Sequence, residues 1–421
     1  MHAERAAVTE TRLGRRDLLP MAVLFAGSLA VLAEAASSAA AKALKPLGAL
    51  AVYFDGSYYL EIARSFPLPF PPESLSYAGQ APLYPTLIWA VRGLTPDALV
   101  DWGLAALYVS WLAGAAAPVA FYALCRALGM AAFLPSLLFV FANPRWLPVA
   151  STAHPEPLAM VFAILALFFY FRRQLGACAF MLTICCLARY PAVLLTAALA
   201  LGLVAERRRI DLRELSVLAW PAVAIAVVNV YLYFRIPGFV SIWHSHATIW
   251  ETHLTWPFAA ALEHAAWFGS LSPQGLLMTC WVLALSLLAI ALGFARGSPR
   301  ELALPVWIAL LVFFHVSLDG SEAFTDVTRL ALLAWPPTLL ILWRRLGAAL
   351  RPAVPAGLCA LLAAWSLWFV QDNLGWALLI QQTGRDEQRL QSDEPVFRSF
   401  PTPVAGRPVR AGGGPRISPG P

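Results

Sequence analysis

The fold class this sequence predicts is an all-α polytopic membrane bundle, and three observations carry that prediction. Of 421 residues, 60% are hydrophobic and only 13% charged, about half the charged share of a soluble domain, which sits near 25%. A soluble core could not bury such a composition. Apolar runs of roughly 17 to 25 residues, long enough to cross ~30 Å of hydrocarbon as helices, recur between short polar segments. Lys and Arg are shared unevenly among those segments, as the positive-inside rule describes.

The apolar runs fall at about residues 18–36, 102–124, 130–143, 157–171, 175–188, 190–205, 215–234, 273–295, 302–318, 329–343 and 353–371, which makes about 11 spans. Arg15 and Arg16, followed by Leu18 to Ala33 and the small residues Ala35 to Ala41, imitate a cleavable signal. With some ten spans still to come, an uncleaved first helix is the expectation. Placing the N-terminus inside puts Arg15–Arg16, Arg126, Arg172–Arg173, Arg207–Arg209, Arg296, Arg300 and Arg344–Arg345 on the cytoplasmic side. Basic residues of the inner segments then outnumber those of the outer loops by about two to one, and the inverted topology would break the rule. The membrane-embedded domain is expected to cover residues 1–371. Residues 372–421 form an extracytoplasmic tail, rich in Pro, Gly and Arg and expected to be disordered from about residue 383.

The net charge of +6 is scattered in small groups rather than gathered in a stripe, which argues against a nucleic-acid partner. The six cysteines lie in or against the spans without CxxC spacing and read as small apolar residues. Neither a Gly-rich phosphate loop nor a dinucleotide fingerprint occurs, and no segment is long or polar enough for a Rossmann-like domain serving a soluble nucleotide-sugar.

Two outer loops are long, residues 37–101 and 235–272, whereas the inner turns are mostly short. Long loops on a rigid scaffold tend to carry function. The acids Asp55, Glu61, Glu73, Asp97, Asp101, Glu156, Glu251, Glu263, Asp319, Glu322 and Asp326 all fall on the outer side. So do His154, His244, His246, His253 and His264, with His315 near the outer end of its span. The histidines from His244 to His264 are too irregularly spaced for a zinc motif and read as solvated loop residues.

Four outer segments could carry chemistry. In Tyr53–Ala63, a helix would put Asp55, Tyr58, Tyr59 and Ile62 at i, i+3, i+4 and i+7 on one face. A carboxylate beside two phenol rings at the membrane interface suits a general base and a sugar-packing surface, and equally an interfacial amphipathic helix with an aromatic belt. In Ala81–Ile88, Pro82 and Pro85 bracket Tyr84 and favour the start of a new helix. In Ser151–Pro157, His154 and Glu156 could converge at the prolines on a metal or a donor, or Glu156 could simply complement the N-terminus of the following helix. In Phe324–Arg329, the guanidinium fork of Arg329 suits a phosphate, although an arginine at a helix end also snorkels to water.

These four pieces, in this order, resemble the multi-pass GT-C glycosyltransferases, and most closely the group that includes GPI mannosyltransferase 2 and its bacterial relatives. That group carries Trp-Asp after the first helix, then aromatics and Ile-Ala, matched here by Phe54-Asp55, Tyr58, Tyr59 and Ile62-Ala63. Its Phe-Pro-Leu-Tyr-Pro is similar to Ala81–Pro85, and its Tyr-Thr-Glu to His154-Pro155-Glu156. The similarity covers residues 15–205; beyond it only hydropathy and Arg329 match. Phe54 in place of Trp, and His154-Pro155 in place of Tyr-Thr, put the identity of the sugar in question.

The resemblance implies a polyprenyl-phosphate sugar donor, a glycan, lipid or protein acceptor, inversion at the anomeric carbon, and a catalytic acid in the first outer loop. Carried onto this sequence, Asp55 would be the general base, and Tyr58, Tyr59, Tyr84, His154 and Glu156 would line the sugar pocket. Arg329 and Arg189 would receive the donor phosphate. A divalent metal, Mg2+ or Mn2+, is compatible with this set and not demanded by it. The expected location is a cell membrane crossed many times, a bacterial plasma membrane before an endoplasmic reticulum. The rival reading is a transporter or lipid-linked-sugar flippase, which would place ionisable groups at mid-membrane. Here Asn229 and His315 are the notable polar groups inside spans.

Overall fold

A computed structural model of the chain describes residues 13–42, 44, 46–52, 55–65, 75–96, 99–207, 212–249, 253–256, 273–319, 331–347 and 353–369, all within one compact unit, Met1–Gln381. The tail from 382, Phe54 and the segment Phe324–Arg329 lie outside the described residues.

Helices occupy the predicted apolar runs. They are α1 (Arg15–Lys42), α2 (Gly56–Arg64), α3 (Leu75–Ala78), α4 (Leu83–Leu94), α5 (Trp102–Ala127), α6 (Phe133–Phe141), α7 (Trp146–Ala150), α8 (Glu156–Phe171), α9 (Leu175–Ala188) and α10 (Val193–Arg207). Then come α11 (Leu212–Leu218), α12 (Trp220–Arg235), α13 (Ile242–Ile249), α14 (Pro273–Arg296), α15 (Ala303–Val316), α16 (Trp335–Leu346) and α17 (Ala353–Phe369). Two short strands, β1 (His253–Leu254) and β2 (Leu318–Asp319), pair antiparallel with His253 opposite Asp319.

Several boundaries differ from the sequence reading. α1 runs to Lys42 rather than stopping near 36, because the alanine run continues the helix well and buries Ala35, Ala36, Ala39 and Ala40. The predicted third span contracts to the 9 residues of α6, roughly 13 Å of helix, too short to cross hydrocarbon alone. The two runs do part at Arg189–Pro191, as the sequence separates them, but the second helix starts at Val193 rather than near 190. Arg189 turns extended (φ −150°, ψ 111°), a 3-10 turn follows at Tyr190–Ala192, and α10 begins afterwards. By length and composition α1 (mean hydropathy 1.9) and α5 (1.7) suffice to cross a membrane. Among the described residues six further helices offer apolar stretches of 10–17 residues.

Polar groups collect at two opposite poles. At one, Asp17 at the start of α1 accepts from Tyr122 (2.8 Å) and pairs with Arg126 (3.0 Å) near the end of α5. Glu206 of α10 pairs there with Arg173 (2.6 Å) and Arg300 (2.9 Å), and Glu301 pairs with Arg344 and with Arg345. These are the arginine groups assigned from the sequence to the cytoplasmic side. The other pole carries α2, α3, α13 and the starts of α5 and α8.

Between the poles the outer faces are apolar. α12 turns Trp220, Val223, Val227, Val230 and Phe234 outward at 45–79% exposure. Their spacing of three and four residues makes a continuous stripe of the kind that water penalises and lipid does not. Small residues let the inner helices approach closely. A Cβ on Gly114 of α5 would lie 2.8 Å from Leu32 Cδ1 and 3.2 Å from Ala150 Cβ.

Candidate functional site

The site begins where the segment after α1 is pressed onto the bundle. The Asp101 carboxylate caps α5 by accepting from Leu104 N–H (2.7 Å), and the 3-10 turn Leu47–Val52 packs on that helix start. A Cβ on Gly103 would stand 2.8 Å from the Gly48 carbonyl oxygen. Downstream, a Cβ on Gly56 would stand 2.0 Å from Ala51 O and 3.4 Å from Ala153 O. Glycine is therefore required at position 56, and its contacts bring the start of α2 against the turn that carries His154. Gly56→Ala is expected to lower stability by about 1–3 kcal/mol through overpacking, read as thermal melting in nanodiscs. An unchanged melting temperature would show that Asp55 is not held by this contact.

Asp55 is the N-cap residue of α2, half-buried and without a capping bond from its side chain to its own helix. Tyr59, one turn on, is buried with its ring edge-on to Tyr84 (centroids 5.2 Å, 89°). Tyr58 turns elsewhere: it lies edge-on to Tyr77 (6.1 Å) and packs on the apolar cluster of Ile62, Leu232, Ile236, Phe239 and Ile242. The single face predicted for Asp55, Tyr58, Tyr59 and Ile62 is thus two rows. One holds Asp55 and Tyr59; the other holds Tyr58 and Ile62, which anchors α2 to α12 and α13.

Tyr84 is fully buried at the start of α4. Its hydroxyl donates to Ala106 O (2.9 Å) and contacts Ser110 Oγ (2.8 Å). Burial pushes its phenol well above the usual range, so it stays neutral. Expected to line the sugar pocket, Tyr84 instead braces α4 on α5. Ser110 extends the brace by donating to His154 O (2.9 Å) and accepting from His154 N–H (3.1 Å).

In the turn before α8, the Thr152 hydroxyl donates to Pro148 O (2.8 Å). Its 2.7 Å contact with His154 Nδ1 is then one that the imidazole donates, which fixes the tautomer with the proton on Nδ1. Glu156, the first residue of α8, is 2% exposed, and its Oε1 stands 3.4 Å from Arg189 Nη1. The break between α9 and α10 is what aims Arg189 there: a helix continuing through Pro191 would carry that residue around the cylinder instead.

The segment after α12 adds a residue whose surroundings differ from the sequence expectation. His246 was expected among solvated loop histidines. In α13, however, Ile242 and Ser245 are buried and His246 shares their face, whereas His244 points to water. His246 Nε2–H donates to Gly79 O (3.1 Å), beside the bond from Tyr190 O–H to Gln80 O (3.1 Å). Burial pushes the His246 imidazole down from its ordinary value of 6.5; the Gly79 bond opposes this, Arg189 adds to it, and Asp55 opposes it. Arg189 and Asp55 therefore both lie within electrostatic reach of His246.

The depressed value has a sign. Unfolding or undocking His246 restores its affinity for a proton, so its contribution to docking is complete above pH 6.5 and is lost as pH falls from there through its own lower value. Amide exchange in α13 is expected to quicken as pH drops below about 6.5 in the wild type, after correction for intrinsic rates, and to stay level in His246→Gln. A wild-type profile identical to that of the variant would show that His246 does not hold α13 in place.

His315, 1% exposed in the last turn of α15, lies near the same region. Its neighbour Phe314 meets Trp243 of α13 (6.4 Å), and Thr255 N–H donates to Ser317 O (2.8 Å). The structure thus gathers Asp55, Glu156, Arg189, His246 and His315 at one pole from five separate segments. His154 and Tyr59, both 1% exposed, lie in the segments that carry Glu156 and Asp55. Arg329 lies outside the described residues. Among the described residues no group of three or more His, Cys, Asp or Glu is arranged to hold a metal ion.

No protein-family model matches this chain, and no curated protein does. Among solved structures it is similar to the Archaeoglobus fulgidus oligosaccharyltransferase crystallised with a tethered acceptor peptide containing the NVT sequon, at 15% identity and a TM-score of 0.42. That match covers 89% of this chain and 59% of the oligosaccharyltransferase chain, so this chain spans about three-fifths of that protein's length. A likeness of this degree decides neither family nor activity.

Proposed function

We propose that this chain is an integral membrane glycosyltransferase of the GT-C type, with about 11 spans, that moves a hexose, mannose-like, from a polyprenyl-phosphate carrier to a hydroxyl of a glycan, lipid or protein. The reaction takes place at the extracytoplasmic pole, and the arginine-rich pole faces the cytoplasm of a bacterial-type plasma membrane. The observation that supports it most is the gathering of Asp55, Glu156 and Arg189 at one pole. They come from three segments spread over about 130 residues of sequence, in a bundle whose outward faces are apolar.

In this reading Asp55 takes the proton of the acceptor hydroxyl as that oxygen attacks the anomeric carbon opposite the phosphate. The half-buried cap position leaves the carboxylate accessible to substrate, and Gly56 holds it against the turn before α8. Arg189 offsets charge on the departing phosphate, with Arg329 as the second cation. Glu156 keeps Arg189 oriented, and Tyr59 and His154 shape the wall on which the sugar packs. A pole-bound ion pair suits interfacial transfer better than a flippase, whose ionisable groups belong at mid-membrane.

The test is release of polyprenyl phosphate. Membranes containing the full-length protein are given polyprenyl-phosphate-linked mannose, or glucose, together with a glycan-bearing lipid extract. Release above that of membranes containing Asp55→Asn is the expected result. Equal release with and without the protein, for every donor sugar, would end the proposal.

A further inference from the structure

His315 is a buried imidazole with one nitrogen unused. Its Nδ1–H donates to Leu311 O in its own helix (2.7 Å), which leaves the lone pair on Nε2. Among the described residues Nε2 has no hydrogen-bond partner. A buried polar atom left unmet costs about 1–3 kcal/mol, so a native structure that keeps one invites a search for what meets it. The surroundings indicate the ligand's charge. Arg189, paired with Glu156, lies within electrostatic reach of His315. Trp243 over Phe314 and the Thr255–Ser317 bond hold the second outer loop against this end of α15. A cation within electrostatic reach of an unused imidazole nitrogen, at the pole where the reaction is placed, suits a phosphate.

Resting on the function proposed above, we infer that His315 joins Arg189 in receiving the phosphate of the lipid-linked donor. On binding the phosphodiester, the imidazole takes a proton from solvent and Nε2–H donates to a phosphate oxygen. During transfer the bond from the anomeric carbon to the phosphate oxygen breaks, and its electron pair stays on that oxygen. The acceptor oxygen bonds the anomeric carbon and its proton passes to Asp55. The phosphate, now carrying a second negative charge, faces the imidazolium and Arg189.

The experiment measures binding to the full chain in nanodiscs with three probes: farnesyl methyl phosphate, the neutral farnesyl methyl ether and inorganic phosphate. The wild type is expected to prefer the phosphodiester to the ether by about tenfold or more, the worth of one hydrogen bond to a charged group. His315→Leu should lose most of that preference with ether affinity unchanged. His315→Gln, which places an amide donor near the Nε2 position, should keep part of it. A folded His315→Leu with the full preference overturns the assignment of His315 and leaves the transferase reading standing. A wild type without any preference for the phosphodiester counts against that reading itself. Binding of inorganic phosphate through His315 without binding of the diester would overturn the lipid source.

Discussion

Asp55→Asn is expected to lower the rate of sugar transfer by about 10²–10⁴-fold, the usual worth of general-base assistance, while donor binding stays near the wild-type level. Asn keeps the size and polarity of the side chain at the cap of α2, where the carboxylate makes no capping bond to its own helix. It also keeps one carbonyl oxygen to accept hydrogen bonds, so the variant is expected to fold. The acceptor hydroxyl, deprived of a base, must lose its proton to water. The split between an intact donor affinity and a lost rate separates this role from a structural one, because a displaced loop would weaken both. Asp55→Glu should recover some transfer, limited by the longer reach. Single-turnover rates on protein shown to melt at the wild-type temperature are the measurement. An Asp55→Asn variant that transfers at the wild-type rate would leave the mechanism without its base.

Much of the helical course was legible because apolar runs and helix breakers are local signals. Gly129 adopts φ +70° just past α5, and Pro155 and Pro157 bracket the first residue of α8, so those ends could be placed from the sequence. Length was the weaker inference. Hydropathy does not distinguish a nine-residue buried helix such as α6 from a span, because both are apolar throughout. At the site, Asp55, Glu156 and Arg189 were legible as polar residues bordering apolar runs. His246 was not, because a histidine in a long polar loop carries no local sign of packing until the loop is known to be helical. Ile242, Ser245 and His246 stand at i, i+3 and i+4, the pattern of a packed face. Tyr58 and Tyr59 illustrate the opposite limit. Adjacent residues on a helix point about 100° apart, and which of the two meets Tyr84 depends on where α4 docks, a tertiary fact no local pattern contains.

Arg189→Met is expected to destabilise the protein by about 3–5 kcal/mol, the cost of breaking a buried pair by removing one partner. Glu156 is 2% exposed and Arg189 13% at the side chain, so the carboxylate is the more deeply enclosed of the two. Stranding Glu156 should therefore cost more than stranding Arg189 by Glu156→Gln. The double variant, with neither charge, should melt closer to the wild type than Arg189→Met does, because no uncompensated charge remains. Thermal melts of all four proteins give the coupling directly. Additive effects would show that the 3.4 Å contact contributes nothing as a pair. The activities then decide why the pair is there. Well-packed neutral side chains often replace a buried ion pair without loss of stability, so a fold that needed only packing would regain transfer along with its melting temperature. If stability returns and transfer does not, the guanidinium is retained for the negative charge that the substrate brings.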